Sequence, residues 1–272
     1  TWDLFQYPGI RSDSDMHTLG FRFKPWLHDK SIAEGPSILN YLYETIDEYE
    51  LSKNILLNHK VNSANWNSND SIWELEILEN NIVKKMTCNF LFLCGGYYSY
   101  TEPHMPYFKN QENFEGKIIH PQFWSSDINY LDKKIAVIGS GATAITIVPA
   151  LSEKAKHVVM IQRSPSYVIS MPSVDRINKF LRKILPKKLT YFLVRWKNII
   201  WQSYTFFIAR TFPNRIKNAI LQRLEDELGS DYDVKKHFTP SYKPWDQRMC
   251  LVPDSDLFKA IKEKKVSIAT DT

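Results

Sequence analysis

The hexapeptide Gly139-Ser140-Gly141-Ala142-Thr143-Ala144 has residue types and spacing suited to holding a dinucleotide. Gly139 would permit a tight turn, and Gly141 would let the backbone approach a pyrophosphate. Ala144 stands where the third glycine of such a turn usually lies, and alanine is accepted there. A helix beginning at Ala142 would aim unpaired N–H groups and its positive dipole end at the phosphates. Further on stands Gln162-Arg163-Ser164, where Gln162 and Arg163 are expected to contact the cofactor. A carboxylate at that place would hold the ribose 2′-hydroxyl of NAD and repel a 2′-phosphate. A guanidinium pairs with the phosphate through two parallel hydrogen bonds. By type alone Arg163 could be an ordinary surface arginine; its position at a strand end selects NADP(H).

These residues need a strand, a turn, a helix and a second strand in that order, and the chain supplies them. Ile135-Ala136-Val137-Ile138 reads as a buried strand, Ala142 to Leu151 as a helix, and His157 to Ile161 as the next strand. Ahead of them, Ser37 to Tyr49 carries a helical stripe after the start signal Gly35-Pro36-Ser37. Ile55–Val61 reads as a strand. Ile72 to Leu78 alternates at period two, Asn80-Asn81 suits a hairpin turn, and Ile82–Thr87 suits the return strand. Phe90-Leu91-Phe92-Leu93, followed by Gly95-Gly96, reads as a fully buried strand ending at a ligand crevice. Phe108 to Lys134 is a polar connector. Asn178 to Leu228 is helical with breaks at Pro186 and Pro213, and a helix from Asp254 to Lys264 leads into a strand at Val266–Thr270. The chain starts inside a motif-like stretch and ends in a strand, so we expect an internal piece of a longer protein.

Composition narrows the class. Hydrophobic residues make up 43% of 272, enough for real cores and too many for a disordered tail. The three cysteines, Cys88, Cys94 and Cys250, form no Cys-x-x-Cys pair, which argues against a disulfide framework, a zinc site and a dithiol reductase. A reducing, cytoplasmic setting follows. No pair of histidines has metal-ligand spacing, so no metal site is expected. Twelve of the 35 Lys/Arg, and none of the 30 Asp/Glu, fall between Arg176 and Arg223. The excess of positive charge is thus one segment rather than a basic face on a recognised nucleic-acid module, and no nucleic-acid partner is expected.

Three stretches carry a family resemblance. Trp2-Asp3-Leu4-Phe5-Gln6-Tyr7-Pro8-Gly9-Ile10-Arg11-Ser12-Asp13 resembles the Trp…Tyr-Pro-Gly…Asp motif of Baeyer–Villiger monooxygenases. Phe114-Glu115-Gly116-Lys117-Ile118-Ile119-His120-Pro121-Gln122-Phe123-Trp124 resembles their Phe-x-Gly-x-x-x-His-x-x-x-Trp signature. Related N- and S-oxidising flavin monooxygenases usually end that signature with Tyr, so Trp124 favours the Baeyer–Villiger branch; Ser125 departs from the Pro or Asp that typically follows. Cys94-Gly95-Gly96-Tyr97-Tyr98-Ser99 is similar to the strand-end glycine motif that joins the two nucleotide domains. The resemblance spans the chain and is nearest to the ethionamide-activating group.

What the resemblance implies is an α/β chain with two Rossmann-like, three-layer dinucleotide-binding domains. Residues 1–107 would be part of an FAD domain and 108–175 the first segment of an NADP domain. Residues 176–242 would be a helical insertion and 243–272 the return of the NADP domain. FAD and NADP would be the cofactors, and small apolar organic molecules and O2 the substrates. Ketones would be oxidised to esters through a C4a-peroxyflavin. Arg248, within Trp245-Asp246-Gln247-Arg248-Met249, would stabilise developing negative charge, and Asp13 would orient it. Family spacing selects Asp13 over Asp15. Trp2 and Asp13 would lie near the cofactors, and Phe114, Gly116, His120 and Trp124 would form the linker that couples the domains. The family's FAD turn should precede Thr1, so this piece alone is expected to bind FAD poorly. Competing readings are an N- or S-oxygenase and a non-catalytic NADP-binding fragment. For the basic segment 176–223 two readings stand. One is an insertion with its aromatics packed inward, which the resemblance favours. The other is a peripheral membrane contact.

Overall fold

A computed structural model describes residues 1–96, 98–247 and 249–271. In chain order its elements are α1 (Met16–Leu19), α2 (Gly35–Glu48), β1 (His59–Asn67), β2 (Ile72–Glu79), β3 (Ile82–Cys88), β4 (Lys134–Ile138), α3 (Ala142–Ser152) and β5 (His157–Gln162). There follow β6 (Tyr167–Met171), α4 (Arg176–Ile184), α5 (Lys187–Thr211), α6 (Pro213–Leu228), α7 (Val234–Phe238), β7 (Met249–Pro253), α8 (Asp256–Lys262) and β8 (Val266–Thr270). They form two compact units, one of Thr1–Tyr41 with Glu115–Thr272, the other of Leu42–Phe114.

The larger unit is built on a parallel sheet of order β4-β5-β8, with Lys134 to Ile138 in register with His157 to Ile161 and Val158 to Gln162 in register with Val266 to Thr270. A second parallel pair, β6-β7, aligns Tyr167 with Met249 and Met171 with Pro253. The core between sheet and helices holds Ile145, Val148 and Leu151 of α3, Val158 and Met160 of β5, and Leu257, Phe258 and Ile261 of α8. Each such side chain contributes roughly 1.5–3 kcal/mol by leaving water. β4 is the strand expected, but only one of its faces is covered. Its residues alternate between half-buried and exposed, and Ile138 stays open, because helices pack against one side of this sheet edge. An all-apolar run is therefore not buried throughout.

The Tyr-Pro-Gly segment lies directly on this unit. Tyr7 packs against the core. Gly9 has φ +76, and a Cβ there would stand 2.7 Å from the Thr146 carbonyl oxygen and 2.8 Å from the Ala150 Cβ. Position 9 thus needs glycine twice over, for its backbone and for its contact with α3. We expect Gly9→Ala to lose about 2 kcal/mol of stability or more, read as a lower urea midpoint.

The insertion is helical with the breaks foreseen at Pro186 and Pro213, but its aromatics do not pack inward. Tyr191 is buried, whereas Phe180, Phe192, Trp196, Trp201, Tyr204, Phe206, Phe207 and Phe212 are all exposed. The inward face of α5 is occupied instead by groups hydrogen-bonded to the Asp15–Phe21 segment. Arg195 Nη1 donates to the carbonyls of His17 (2.6 Å) and Gly20 (3.1 Å). Asn198 and Gln202 donate to the Asp15 carboxylate (2.8 and 2.6 Å). His17 is enclosed here; burial lowers its pKa, against the opposing pull of Asp15 and Asp175.

The smaller unit contains the meander β1-β2-β3. Asn80 and Asn81 both take positive φ (48° and 67°), as a two-residue hairpin turn of the primed type requires. The strand foreseen from Ile55 begins only at His59, after a 3-10 turn at Leu51–Asn54. Phe90–Leu93 is a correction. The segment is not a strand, and Phe90, Phe92 and Leu93 are 79%, 77% and 80% exposed. Among the described residues no strand pairs with it, and without ladder partners an apolar run has nothing to be buried between.

Candidate functional site

The carboxyl ends of β4 and β5 lie side by side, and the turn between β4 and α3 closes over them. Gly139 has φ +136, and its N–H donates to the Ile161 carbonyl (2.8 Å), bending the chain back toward β5. Ser140 Oγ donates to the Ser164 carbonyl (2.9 Å), tying the turn to the residue after Arg163. The first hydrogen bond of α3 runs from Ile145 N–H to Gly141 C=O (3.0 Å), so the N–H groups of Ala142, Thr143 and Ala144 precede it. Gly141, the N-cap, has ordinary extended φ (−79°), and a Cβ there would meet nothing within 4 Å. The space over the helix start is open, as a bound pyrophosphate demands.

Arg163 is exposed just past β5, and among the described residues it has no carboxylate partner. Gln162 beside it points the other way. It is 3% exposed, and its amide donates to the His237 carbonyl (2.8 Å) and Thr270 Oγ1 (2.9 Å). That commits Gln162 to tying β5 to α7 and β8. The two glycines are separable by experiment. Gly141→Ala is expected to leave thermal stability unchanged while weakening NADP+ binding by roughly tenfold, about 1.4 kcal/mol, in a titration of the folded protein. Gly9→Ala should show the opposite pattern.

Ser12 and Ala33 exchange hydrogen bonds, Ser12 N–H to Ala33 C=O (2.8 Å) and Ala33 N–H to Ser12 Oγ (3.0 Å), and Asp13 is exposed at the end of this pairing. Trp2 is half-buried in the opening turn. Arg11, from the same motif, forms a largely buried ion pair with Asp256 at the start of α8. Asp15 has its own structural employment: it caps α1 through Thr18 N–H (3.0 Å) and receives Asn198 and Gln202. Its capping role was legible in Asp15-x-x-Thr18; its partners from α5 were not, being more than 180 residues away.

His120 Nδ1 accepts the Gln122 N–H (3.2 Å) and so caps the 3-10 turn Pro121–Phe123. Trp124 packs on the core, edge-on to Tyr130 with ring centroids 5.7 Å apart. Gly116 is exposed; Phe114 ends the smaller unit and is exposed as well.

Arg248 lies outside the described residues. Its surroundings are fixed on both sides. Asp246 forms an ion pair with Arg210 of α5, and Trp245, at φ +68, meets Phe206 edge-on at 5.8 Å. After it, β7 runs beside β6 with Cys250 and Val252 buried. The anchoring of this turn by α5 was not visible in the sequence, where Arg210 read as one cation among twelve.

Residues 26–231 match the sequence family described as flavin-binding monooxygenase-like. The chain is 50% identical over 273 residues to the FAD-containing monooxygenase EthA of Mycobacterium tuberculosis, a match covering 100% of this chain and 56% of that one. It is 48% identical over 274 residues to the probable FAD-binding monooxygenase AlmA of Acinetobacter baylyi, covering 100% and 55%. The chain thus spans little more than half the length of these relatives. Among solved structures, an oxidised steroid monooxygenase bound to NADP superposes with TM-score 0.77 at 19% identity over 99% of this chain and 58% of that one. The polycyclic ketone monooxygenase of Thermothelomyces thermophila gives 0.76 at 19% identity, over 99% and 51%. Cyclohexanone monooxygenase from Rhodococcus sp. Phi1 bound to NADP+ gives 0.74 at 18%, over 99% and 57%. At such identities these likenesses show the α/β fold.

Proposed function

Because the chain belongs to the flavin-binding monooxygenase-like family, we propose that it is the NADP-binding part, with some of the FAD-binding part, of an NADPH- and O2-dependent monooxygenase that converts ketones to esters. The observation that carries this reading is Arg163. Its guanidinium has no carboxylate partner among the described residues, and it stands at the end of β5 beside a glycine turn that opens onto free space. The N–H groups of Ala142 and Thr143 would take the pyrophosphate, with Gly139, Ser140 and Gly141 shaping its seat. Arg163 would take the 2′-phosphate. Gln162 would hold the strand end in place from inside. FAD, when bound, supplies the oxygen-activating redox chemistry. Arg248 would stabilise the negative charge that develops on the reacting oxygen atoms, and Asp13 would fix the orientation of the guanidinium.

Trp2 and Asp13 would border the cofactors, and Phe114, Gly116, His120 and Trp124 would serve as the linker between the nucleotide domains. The domain partition at 107, 175 and 242 goes with the same reading. Two of the solved structures with this fold are ketone monooxygenases by name, which is in keeping with a ketone as substrate. Consumption of NADPH suits a cytoplasmic setting. The test is stopped-flow reduction of the flavin in the full-length protein by NADPH and by NADH, followed by product analysis with a panel of ketones, sulfides and amines. Faster reduction by NADPH and ester products are expected. Sulfoxides or N-oxides without any ester would assign the protein to N- or S-oxidation instead.

A further inference from the structure

Helix α5 is amphipathic the wrong way round for a helix in water. Its polar stripe, Tyr191, Arg195, Asn198 and Gln202, faces the protein, where these side chains donate to Phe21 C=O, to His17 and Gly20 C=O, and to the Asp15 carboxylate. The opposite stripe, Phe192, Trp196, Ile200, Tyr204 and Phe207, recurs at helical spacing and is exposed, with Ile200 at 64% and Phe207 at 62%. It runs for about 20 Å at 1.5 Å per residue. A surface helix of a protein that meets only water shows the reverse arrangement, and a continuous apolar strip of this size marks a contact surface.

Charge identifies what it contacts. On α4, Ile177, Phe180 and Ile184 are exposed at i, i+3 and i+7, and each is preceded by a cation, Arg176, Lys179 and Lys183. Lys187 and Lys188 follow at the corner into α5. Among the described residues none of these five cations has a carboxylate partner. The nearby acids are already engaged: Asp29 with Arg182, Asp175 with Lys197, Asp246 with Arg210, and Asp15 with Asn198 and Gln202. The two consecutive helices therefore expose apolar, aromatic and unpaired cationic side chains together. A second copy of the same face would bring like charges together, which opposes self-association through it. The headgroups of an anionic bilayer would attract them, while Trp, Tyr and Phe side chains settle at the headgroup boundary. Among the described residues no helix is long and apolar enough to cross a membrane, so α4 and α5 would meet a bilayer from its surface.

We infer that the outer face of α4 and α5 is a seat for an anionic lipid bilayer, on whose surface these two helices lie. The inference stands apart from the reaction proposed above, since binding is read without turnover. The test is flotation of the full-length protein with vesicles of phosphatidylglycerol and phosphatidylcholine, against phosphatidylcholine alone, at low and high salt. The expected result is recovery with the anionic vesicles, weakened by salt. The pair Lys179→Glu, Lys183→Glu and the pair Ile200→Ser, Phe207→Ser should each reduce the bound fraction at least tenfold, with NADPH oxidation in solution unchanged. In the unaltered protein, lipids brominated near the headgroup should quench tryptophan fluorescence, and Trp196→Phe with Trp201→Phe should remove most of that quenching. This second readout stands even if a paired variant folds badly. No recovery with anionic vesicles, recovery that neither pair changes, or an oligomer that Ile200→Ser, Phe207→Ser dissociates while vesicle binding persists would each overturn the inference.

Discussion

Arg248→Ala in the full-length protein is expected to lower the rate of ester formation by about 10²-fold or more while leaving NADP+ affinity within about twofold. Loss of a single fixed donor at a site of developing negative charge typically costs 10²–10³ in rate, about 2.7–4 kcal/mol. The effect is large because such a cation is already in place when the charge appears. The described neighbours of position 248 are anchored on both sides. The turn before it is held by the Arg210–Asp246 ion pair and the Phe206–Trp245 contact. The strand after it is paired along β6 with Cys250 and Val252 buried. Arg248→Lys would keep the charge but lose the planar fork, so it should fall between alanine and the parent. The measurement is ester yield per NADPH consumed, with dinucleotide affinity determined separately on the same variant. Ester formation at the parent rate in Arg248→Ala would remove Arg248 from the chemistry.

The second large effect concerns the choice of dinucleotide. Arg163→Ala is expected to weaken NADPH binding by roughly 10- to 150-fold and to change NADH binding by less than about twofold. Hydrogen bonds to charged groups are worth about 1.5–3 kcal/mol, which converts to that range. The asymmetry is the informative part. Only NADPH carries the 2′-phosphate, so a guanidinium that pairs with it cannot matter equally to both. Arg163 also has little structural work: it is exposed and has no carboxylate partner among the described residues, so its loss should not lower stability. KM values for both dinucleotides, with thermal melting of the variant as control, provide the check. An equal loss toward NADPH and NADH would mean that the variant disturbs the turn at Gly139–Thr143, to which Ser140 and Ser164 link this strand end.

The sequence by itself determined the parts of this protein whose causes are local. Glycine spacing and flanking apolar runs located the β4–α3–β5 unit almost to the residue, because a tight turn, a helix start and a parallel pair each leave a short-range pattern. Pro186 and Pro213 marked the breaks of the insertion because proline lacks the N–H that would carry the preceding helix on, while its fixed φ suits the start of the next. Asn80-Asn81 marked the hairpin because both residues tolerate positive φ. Burial was a different matter. Ile135–Ile138 and Phe90–Leu93 are equally apolar on paper. The first is covered on one face, while the second is exposed except for half-buried Leu91, since covering depends on which elements arrive from elsewhere in the chain. Gln162 looked like a ligand contact next to Arg163, yet alternation along β5 turned it inward to His237 and Thr270. The aromatics of α5 looked like core. Only the tertiary structure showed Asp15, His17 and Gly20 meeting its polar side and leaving the aromatic side outward. A helix carries its two faces in its sequence; which of them meets the protein is decided by distant residues that complete the hydrogen bonds.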